Sequence, residues 1–392
     1  MLKDVILAGG ARTAIGGFLG SLATLPAPQL GGIAIKAALE RAHVPADQVN
    51  EVICGNVLSA GLGQNVARQA ALAAGLSPAV GATTVNKVCG SSLKAVMLAA
   101  QAIQCGDAEV VVAAGTENMS QAPYLLPKAR LGYRMANGEI VDSMIHDGLW
   151  DVYNNLHMGV CGDHCAERYQ FSRQQQDDFA VASYTRALQS QKDCIAAREI
   201  APVEIIEKKG KTVFLVDEEP QRFNEEKLRK LAPAFGKEGS VTAGNASSIS
   251  DGAAAIVVAA AEKAEKLGVT PQSRILGYST QSQEPEWFTT APIGAIAKLM
   301  ARLGWQTADV DLFEINEAFS VVPLAAMKEL NIPHAKINVL GGAVALGHPI
   351  GASGARVLVT LLNALALHNG NRGIASLCIG GGEAVALAVE RV

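Results

Sequence analysis

Charged side chains are scarce in this sequence, and they form no basic run. Asp, Glu, Lys and Arg make up 18% of the 392 residues, and the formal net charge is −4. No five consecutive residues are Lys or Arg, so the charge pattern gives no electrostatic basis for binding nucleic acid. We therefore predict no nucleic-acid partner, although local basic clusters are compatible with a phosphorylated small molecule.

The sequence also lacks a continuous apolar segment suited to a membrane. The longest uncharged stretch, residues 13–35, contains two prolines and five glycines, which argue against a continuous helix in lipid. The apolar run within the first eight residues has the length of a strand and is too short for the core of a signal peptide. We predict no membrane segment.

Cysteine is sparse as well. The seven cysteines are Cys54, Cys89, Cys105, Cys161, Cys165, Cys194 and Cys378. An odd number of scattered cysteines is not typical of a disulfide framework and favours free thiols in a reducing compartment. The expected location is the cytoplasm.

What the sequence does contain is a division into charged and apolar regions. A chain of 392 residues exceeds the usual size of one core, so two or more domains are expected. Almost half of the charged residues lie in residues 121–240, which indicates a more solvated inserted domain. The flanks alternate apolar strand-like runs with amphipathic helices, the pattern of a layered α/β core.

The two flanks resemble each other. In the first, a strand over residues 83–85 leads through Cys89 to a helix over 91–104, and then to a strand over 110–114 that ends in a glycine turn. In the second, a strand over 337–339 leads through His348 to a helix from Ser353. A strand over 374–377 follows that helix. The repeat predicts two similar halves whose reactive turns face one cleft.

Three reactive side chains lie where a predicted strand gives way to a glycine-rich turn: Cys89, His348 and Cys378. Cys89 comes just before a predicted helix, where the helix dipole favours a thiolate and predicts a lowered pKa. Cys378 precedes three glycines, whose unobstructed N–H groups can form an oxyanion hole. Two thiols and one imidazole suit acyl transfer from a thioester with carbon–carbon bond formation. Each of the three could instead be a buried structural residue.

Two further clusters leave alternatives open. His157, Cys161, His164 and Cys165 invite a zinc interpretation, but their spacing matches no standard finger or ribbon, so packing or substrate contact is favoured and no metal is expected. In the second cluster, Asn316 could cap a helix or orient a water or a carbonyl oxygen.

Together these segments resemble the thiolase family. The resemblance covers the chain from Arg12 to its end and includes, besides the three reactive turns, residues 63–69, 117–120, 241–247 and 316–319. It implies an α/β fold of five α-β-α-β-α layers built from two similar halves with an inserted loop domain. The halves would be residues 1–120 plus 245–270, carrying the nucleophile, and 271–392, carrying the acid/base residues. Residues 121–244 would form the loop domain that contacts coenzyme A.

The resemblance also implies an activity. An acyltransferase of this family joins two molecules of acetyl-CoA to acetoacetyl-CoA and CoA, or runs in reverse as thiolysis, through an acyl-cysteine intermediate. A 3-ketoacyl-CoA thiolase of broader range is the alternative. The implied partners are acetyl-CoA, acetoacetyl-CoA and CoA as substrates and products, with no resident cofactor. The implied assembly is a homodimer or a dimer of dimers (a homotetramer), and the implied setting is fatty acid metabolism.

The resemblance assigns roles to individual residues. Cys89 would be the nucleophile, His348 its base, and Cys378 the group that moves the α-carbon proton of the second acetyl-CoA. Asn316 (through a water) and His348 would form one oxyanion site, and the N–H groups of Cys89 and Gly380 the other. The residues implied in substrate binding are Leu149, His157, Met158, Arg222, Phe235, Ala243, Ser247, Phe288, Ala318 and Phe319.

The chain departs from the family pattern in three places. Ser92 replaces a glycine, residues 162–164 differ, and residues 287–295 replace a segment that normally borders the acyl pocket. Two rival interpretations are a decarboxylating condensing enzyme and an acyl-CoA-binding protein without turnover. The presence of Cys378 disfavours the first, and the intact set of reactive residues disfavours the second.

Overall fold

The computed structural model describes residues 3–207 and 210–392. The strands are β1 (Val5–Thr13), β2 (Gly16–Gly17), β3 (Glu51–Gly55), β4 (Gly81–Val85), β5 (Val110–Asn118), β6 (Tyr124–Leu125), β7 (Val141–Asp142), β8 (Trp150–Asp151), β9 (Leu156–His157), β10 (Ile200–Ala201), β11 (Val203–Glu207), β12 (Gly210–Phe214), β13 (Ser250–Ala260), β14 (Ser273–Ser282), β15 (Leu312–Ile315), β16 (Arg372–Ile379) and β17 (Glu383–Arg391).

Helices alternate with these strands in both flanks. The helices are α1 (Ala27–Ala42), α2 (Val66–Ala73), α3 (Ser91–Cys105), α4 (Ser143–Gly148), α5 (Met158–Tyr169), α6 (Arg173–Lys192), α7 (Glu218–Gln221), α8 (Glu225–Arg229), α9 (Ala261–Leu267), α10 (Ala291–Leu303), α11 (Val321–Leu330), α12 (Ala343–Leu346) and α13 (Ser353–Leu367).

The long strands form one mixed sheet in the order β15-β16-β17-β14-β1-β13-β5-β3-β4. Its two parts meet where β1 pairs with β14, and that contact is only two residue pairs long, Ile6 with Arg274 and Leu7 with Ser273. The sheet therefore consists of a five-stranded part ending at β4 and a four-stranded part ending at β15, joined along a short edge.

Alternation along the strands shows that the first part of the sheet is covered on both faces. In β5, Val111 and Ala113 belong to a core cluster that also contains residues of α3 and α13. Val110, Val112 and Ala114 belong to a second cluster, with α1 and α2. Because side chains alternate between the faces of a strand, every residue of β5 is buried.

The second part of the sheet is also covered by helices on both faces. The cluster that holds α3 and α13 also takes residues from β16 and β17, so this helix pair lies between the two parts of the sheet. On the far side of β16 and β17, a third cluster contains residues of α10 and α11. The order is thus helix, sheet, helix, sheet, helix, and the five-layered α/β prediction is confirmed.

The segment of residues 88–105, which consists of α3 and the three residues before it, is long and apolar enough to cross a membrane by length and composition alone. Their apolar character has another physical explanation. Helix α3 lies in the middle layer, where it packs against β3, β5 and β13 and against α13. A helix with a sheet on each side is expected to be apolar around most of its surface.

Between residues 121 and 244 the described strands form short pairs of their own, and β10 alone joins the central sheet, beside β1. A buried ion cluster anchors this region. Arg12 of β1 contacts Glu199 at 2.6 Å and Asp217 at 2.7 Å, and all three side chains are almost fully buried. A guanidinium with two carboxylates around it needs no solvent to satisfy its donors.

Two local predictions are wrong. Residues 337–339 form no strand, because Ile337 makes only a single bridge to Phe313. Beside that bridge, the side-chain amide of Asn338 exchanges two 2.8 Å hydrogen bonds with the backbone of Ile315 and so replaces the strand pairing. Strand β5 also does not turn at Gly115 but continues to Asn118, because its residues go on pairing with β13 as far as Asp251.

Candidate active site

A cavity of about 440 Å³ opens between the loop region and the two halves of the sheet. Its wall includes Cys89, His348 and Gly380, one from each of the three predicted reactive turns. The turns of Cys89 and His348 meet because α3 and α13 lie side by side in the middle layer with their first turns together, where the backbone amide of Ala355 donates a hydrogen bond to the hydroxyl of Ser92.

The turn that carries Cys89 is strained and tightly held. Val88 has a φ of +45°, a conformation that is unusual for a β-branched residue. The hydroxyl of Ser91 fixes this turn, because it accepts a 2.9 Å hydrogen bond from the amide of Lys87 and donates one of 2.6 Å to the carbonyl of Val88. Gly90, directly after Cys89, is also tightly packed, because a side chain there would overlap Ile379.

The electrostatic prediction for Cys89 is wrong. Burial raises the pKa of the Cys89 thiol to about 11, and the N–H groups of Gly380 and of Cys89 itself lower it by less. The helix does begin two residues later, at Ser91. At this position, however, the loss of hydration disfavours the thiolate more than the amide dipoles favour it. In the free protein Cys89 is therefore a neutral thiol at neutral pH.

His348 projects from a turn that only glycine can begin. Gly347 has a φ of +104°, and a side chain there would overlap Ser250. Nδ1 of His348 lies 2.6 Å from the Ser353 hydroxyl, which in turn donates a 2.9 Å hydrogen bond to the carbonyl of Pro349. Because the serine proton is engaged with Pro349, Nδ1 carries the imidazole proton and Nε2 is free to act as a base.

The imidazole is neutral in the free protein. Burial, followed by the positive charge of Arg356, lowers the pKa of His348 to about 3. Because both groups are neutral, His348 and Cys89 do not form a thiolate–imidazolium pair in the free protein, and His348 can act as a general base. The thiol proton therefore moves when Cys89 attacks.

Asn316 lies against His348. Its Nδ2 is 3.5 Å from Nδ1 and 3.4 Å from Nε2 of the imidazole, so it favours neither ring nitrogen. Asn316 does not cap a helix, because α11 begins at Val321 with Ser320 as its N-cap. Its oxygen instead accepts a 3.1 Å hydrogen bond from Arg356.

Cys378 is the penultimate residue of β16, paired with Ala384 of β17. It is fully buried, behind the lining residues of the cavity. Burial is the main cause that raises the pKa of Cys378, and the neighbouring Cys89 raises it further. The two thiols thus lie close enough to interact electrostatically, and Gly380, two residues after Cys378, brings its backbone to the cavity wall.

The structure brings most of the predicted substrate-binding residues to one surface. The lining contains Leu149, His157, Met158, Phe235, Ala243, Ser247, Phe288, Ala318 and Phe319. Arg222 is not among the lining residues, and its guanidinium lies 2.9 Å from Glu219, which does line the cavity.

Aromatic rings close one side of the cavity. Phe319 makes edge contacts with Phe235 and Phe288 at centroid distances of 6.2 and 6.4 Å, and Phe235 stacks on His157. Trp287, the first residue of the segment that departs from the family pattern, does not line the cavity. Its ring instead stacks under the guanidinium of Arg168, 4.6 Å away.

The segment that departs from the family pattern is helical. A 3₁₀-helix over Pro285–Thr290, kinked at Trp287, leads directly into α10. Gly294 lies in the first turn of α10, where a side chain would overlap Gln281. The glycine therefore allows α10 to approach β14.

Sequence reasoning missed several residues of the site. Lining residues not predicted are Met119, Gly148, Glu219, Ala234, Ala246, Ser248, Ile249 and Ile350. Ser353 and Arg356 were also missed as partners of the reactive groups. The sequence does mark Arg356, since it is the single charged residue of the mostly apolar helix α13.

The cluster from His157 to Cys165 contributes in another way. His157 is the N-cap of α5, and its Nδ1 accepts a 3.1 Å hydrogen bond from the amide of Gly159. Cys161 and Cys165 are buried in the core that contains α10. Within residues 3–207 and 210–392, no group of three or more His, Cys, Asp or Glu side chains could hold a metal ion.

Comparison with known proteins agrees with this geometry. Residues 5–262 match the family described as "Thiolase, N-terminal domain", and residues 269–391 match "Thiolase, C-terminal domain". Acetyl-CoA acetyltransferase 2 of Arabidopsis thaliana is 54% identical, covering 99% of this chain and 97% of that protein. Acetyl-CoA acetyltransferase of Cupriavidus necator is 52% identical over the whole of both chains.

Two solved structures superpose closely. The acetyl-CoA acetyltransferase of Bacillus anthracis has a TM-score of 0.97 at 40% identity and covers 100% of this chain and 99% of its own. A thiolase of Ascaris suum in complex with coenzyme A has a TM-score of 0.94 at 42% identity, with full coverage of both chains.

Proposed function

The chain belongs to the thiolase family, and from this premise we propose that it is an acetyl-CoA C-acetyltransferase. It catalyses the reversible condensation of two acetyl-CoA to acetoacetyl-CoA and CoA. The observation that carries this proposal is the meeting of Cys89, His348 and Gly380 on one cavity wall, with the buried thiol of Cys378 close enough to Cys89 to interact with it electrostatically.

The first half-reaction is transfer of an acetyl group to the enzyme. Nε2 of His348 takes the proton of Cys89 as its sulfur attacks the thioester carbonyl of acetyl-CoA. The new carbon–sulfur bond forms to Cys89, the bond to CoA breaks, and the CoA thiolate takes the proton of the Cys378 thiol, which leaves Cys378 as a thiolate and His348 protonated. The N–H groups of Cys89 and Gly380, which point at this sulfur, stabilise the oxyanion.

The second half-reaction forms the carbon–carbon bond. The thiolate of Cys378 removes an α-proton from a second acetyl-CoA, and the resulting enolate attacks the acyl carbon on Cys89. The carbon–sulfur bond to Cys89 breaks, and the Cys89 thiolate regains a proton from His348. In thiolysis the raised pKa of Cys378 keeps its thiol protonated, which is the form that protonates the departing acetyl-CoA enolate.

We also propose that the enzyme works without a resident cofactor, is located in the cytoplasm and takes part in fatty acid metabolism. Each proton and each bond in the reaction has a residue of this chain to handle it, which supports turnover without a resident cofactor. The seven cysteines, all within the described residues, are free thiols, which supports a reducing, cytoplasmic setting. A role in fatty acid metabolism follows from the substrates.

The proposal is tested by the acetyl-enzyme itself. Wild-type protein incubated with acetyl-CoA should gain the mass of one acetyl group on Cys89 in intact-mass spectrometry, and Cys89→Ala should gain none. The wild type should also cleave acetoacetyl-CoA when CoA is added. An acetyl adduct on Cys89→Ala, or a wild type that is never acetylated, contradicts the assignment. Adduct formation without cleavage would indicate the non-turnover alternative.

A further inference from the structure

Arg356 is a buried cation one helical turn after the serine that orients His348. It lies on α13, three residues after Ser353, and is 2% exposed. Its guanidinium contacts two residues at the end of β15. One nitrogen donates a 3.0 Å hydrogen bond to the carboxylate of Glu314, and another donates a 3.1 Å hydrogen bond to Oδ1 of Asn316.

This contact decides which way the amide of Asn316 faces. A guanidinium has only donors, so it can meet the oxygen of the amide but not its nitrogen. With the oxygen held by Arg356, the nitrogen is directed to the imidazole of His348. The backbone of Asn316 is fixed independently, because its backbone N–H donates a 3.0 Å hydrogen bond to the carbonyl of Ser376. Rotation of the side chain is the freedom that Arg356 removes.

The direction of the amide matters for one half-reaction. The N–H groups of Cys89 and Gly380 point at the Cys89 sulfur and so serve the oxyanion formed on the acyl-cysteine. The amide nitrogen of Asn316 lies instead beside His348, where a second thioester must ionise. An amide turned by 180° would present its oxygen there and repel the enolate oxygen.

We propose that Arg356 is a positioning residue, which holds the amide of Asn316 with its N–H groups toward the second oxyanion site and thereby serves carbon–carbon bond formation without serving acylation of Cys89. The proposal rests on the proposed function. Ser353 and Arg356 then act as a pair on one helix face, because the first fixes the tautomer of His348 and the second fixes the rotamer of Asn316.

The test uses Arg356→Lys, which keeps the charge beside Glu314 and His348 but loses the forked geometry that reaches both partners. Two rates are measured on the full-length protein. The first is the rate of acetylation of Cys89 by acetyl-CoA, which is measured by rapid quench and intact-mass spectrometry. The second is exchange of the α-protons of acetyl-CoA with D2O, which reports enolisation by Cys378.

For Arg356→Lys we expect the rate of acetylation to stay within about threefold of the wild-type rate. Proton exchange should fall roughly 10- to 100-fold, somewhat less than the loss of an oxyanion donor outright. Asn316→Ala should show the same division between the two rates. The double variant Arg356→Lys with Asn316→Ala should lose no more exchange than Asn316→Ala alone, because both changes act on one group.

Other outcomes overturn the proposal. Equal losses of acetylation and exchange would mean that Arg356 is structural only, and additive losses in the double variant would mean that it does not act through Asn316. Glu314→Gln is the control, since it removes the negative charge beside Arg356 but keeps an oxygen that can accept the same hydrogen bond, and it should leave the ratio of the two rates unchanged. Circular dichroism verifies that each variant is folded.

A second variant keeps the test decisive if Arg356→Lys does not fold. Replacing Arg356 and Glu314 by Gln together leaves no buried charge unpaired, and the same division between the rates is expected. A wild type that shows neither acetylation nor exchange contradicts the proposed function. A wild type that shows both, with variants that match it, contradicts only the role of Arg356.

Discussion

The hydroxyl of Ser92 accepts a 2.9 Å hydrogen bond from the backbone amide of Ala355. Ser92 lies in the first turn of α3, behind the nucleophile, and Ala355 lies in the first turn of α13, behind the base. The first amides of a helix have no partner within it, so Ser92 satisfies one of them from the other half of the molecule. The departure from the usual glycine at this position thus joins the two reactive turns.

Ser92→Ala should therefore destabilise the protein. The methyl group fills most of the same space, but the buried amide of Ala355 loses its acceptor, at a cost of about 1–3 kcal/mol. The measurement is the midpoint of thermal unfolding at one fixed protein concentration. Ser282→Ala is the matched control, because the Ser282 hydroxyl bonds Glu383 at an exposed position. It should change stability by less than about 0.5 kcal/mol, and equal losses in the two variants would contradict the role of Ser92.

The neutral state of Cys89 gives a prediction for pH. With a pKa raised to about 11, the fraction of thiolate in the free protein should rise about tenfold for each pH unit between 7 and 10. Alkylation of Cys89 by iodoacetamide, mapped by mass spectrometry, should follow that rise. A model peptide thiol, with a pKa of about 8.5, should level off above pH 9. A rate for Cys89 that is already constant near pH 7 would indicate a thiolate–imidazolium pair instead.

The protein should be a homo-oligomer, at least a dimer. Strand β4 ends the sheet, and within the described residues its outer edge has no partner strand. An unpaired edge is a template for another strand, and this edge lies next to the turn that carries Cys89. Light scattering at micromolar concentration should give a mass of at least twice 40.7 kDa. A monomeric mass would contradict the prediction.

The reactive turns could be predicted from the sequence because their signals are local. Cys89 is followed by a glycine and His348 stands among several, each between a strand-like run and a helical one, and the order of these signals specifies the two halves. The strand expected at residues 337–339 could not be corrected in this way. There the amide of Asn338 takes over the pairing, and only the tertiary structure shows that Ile315 lies beside it.

The pKa of Cys89 was mispredicted for a related reason. A helix N-terminus is visible in the sequence and favours a thiolate, whereas burial depends on residues far away in the chain. For example, Ile379 lies against Gly90, the residue after the nucleophile, although the two are far apart in the sequence. The sequence likewise shows Arg356 as an unusual charge in an apolar helix but does not show that its partner is Asn316.

Phe288 should keep the enzyme on short acyl chains. Its ring is 3% exposed, lines the cavity and meets the ring of Phe319 at 6.4 Å. Because the 3₁₀-helix that carries Phe288 runs straight into α10, the ring has little freedom to move aside. Two added methylenes facing it would overpack the pocket, at a cost of roughly 1–3 kcal/mol, or on the order of ten- to a hundredfold in kcat/KM.

The deciding experiment compares acetoacetyl-CoA with 3-ketohexanoyl-CoA in thiolysis. The wild type should prefer the shorter substrate by about that factor, and Phe288→Ala should reduce the preference. Trp287→Ala is the matched control, since that neighbouring ring packs on Arg168 outside the cavity and its loss should leave the preference unchanged. A wild type equally fast on both substrates would favour the broader 3-ketoacyl-CoA thiolase. A preference that relaxes equally in both variants would mean that the 3₁₀-helix as a whole, and not the Phe288 ring, limits chain length.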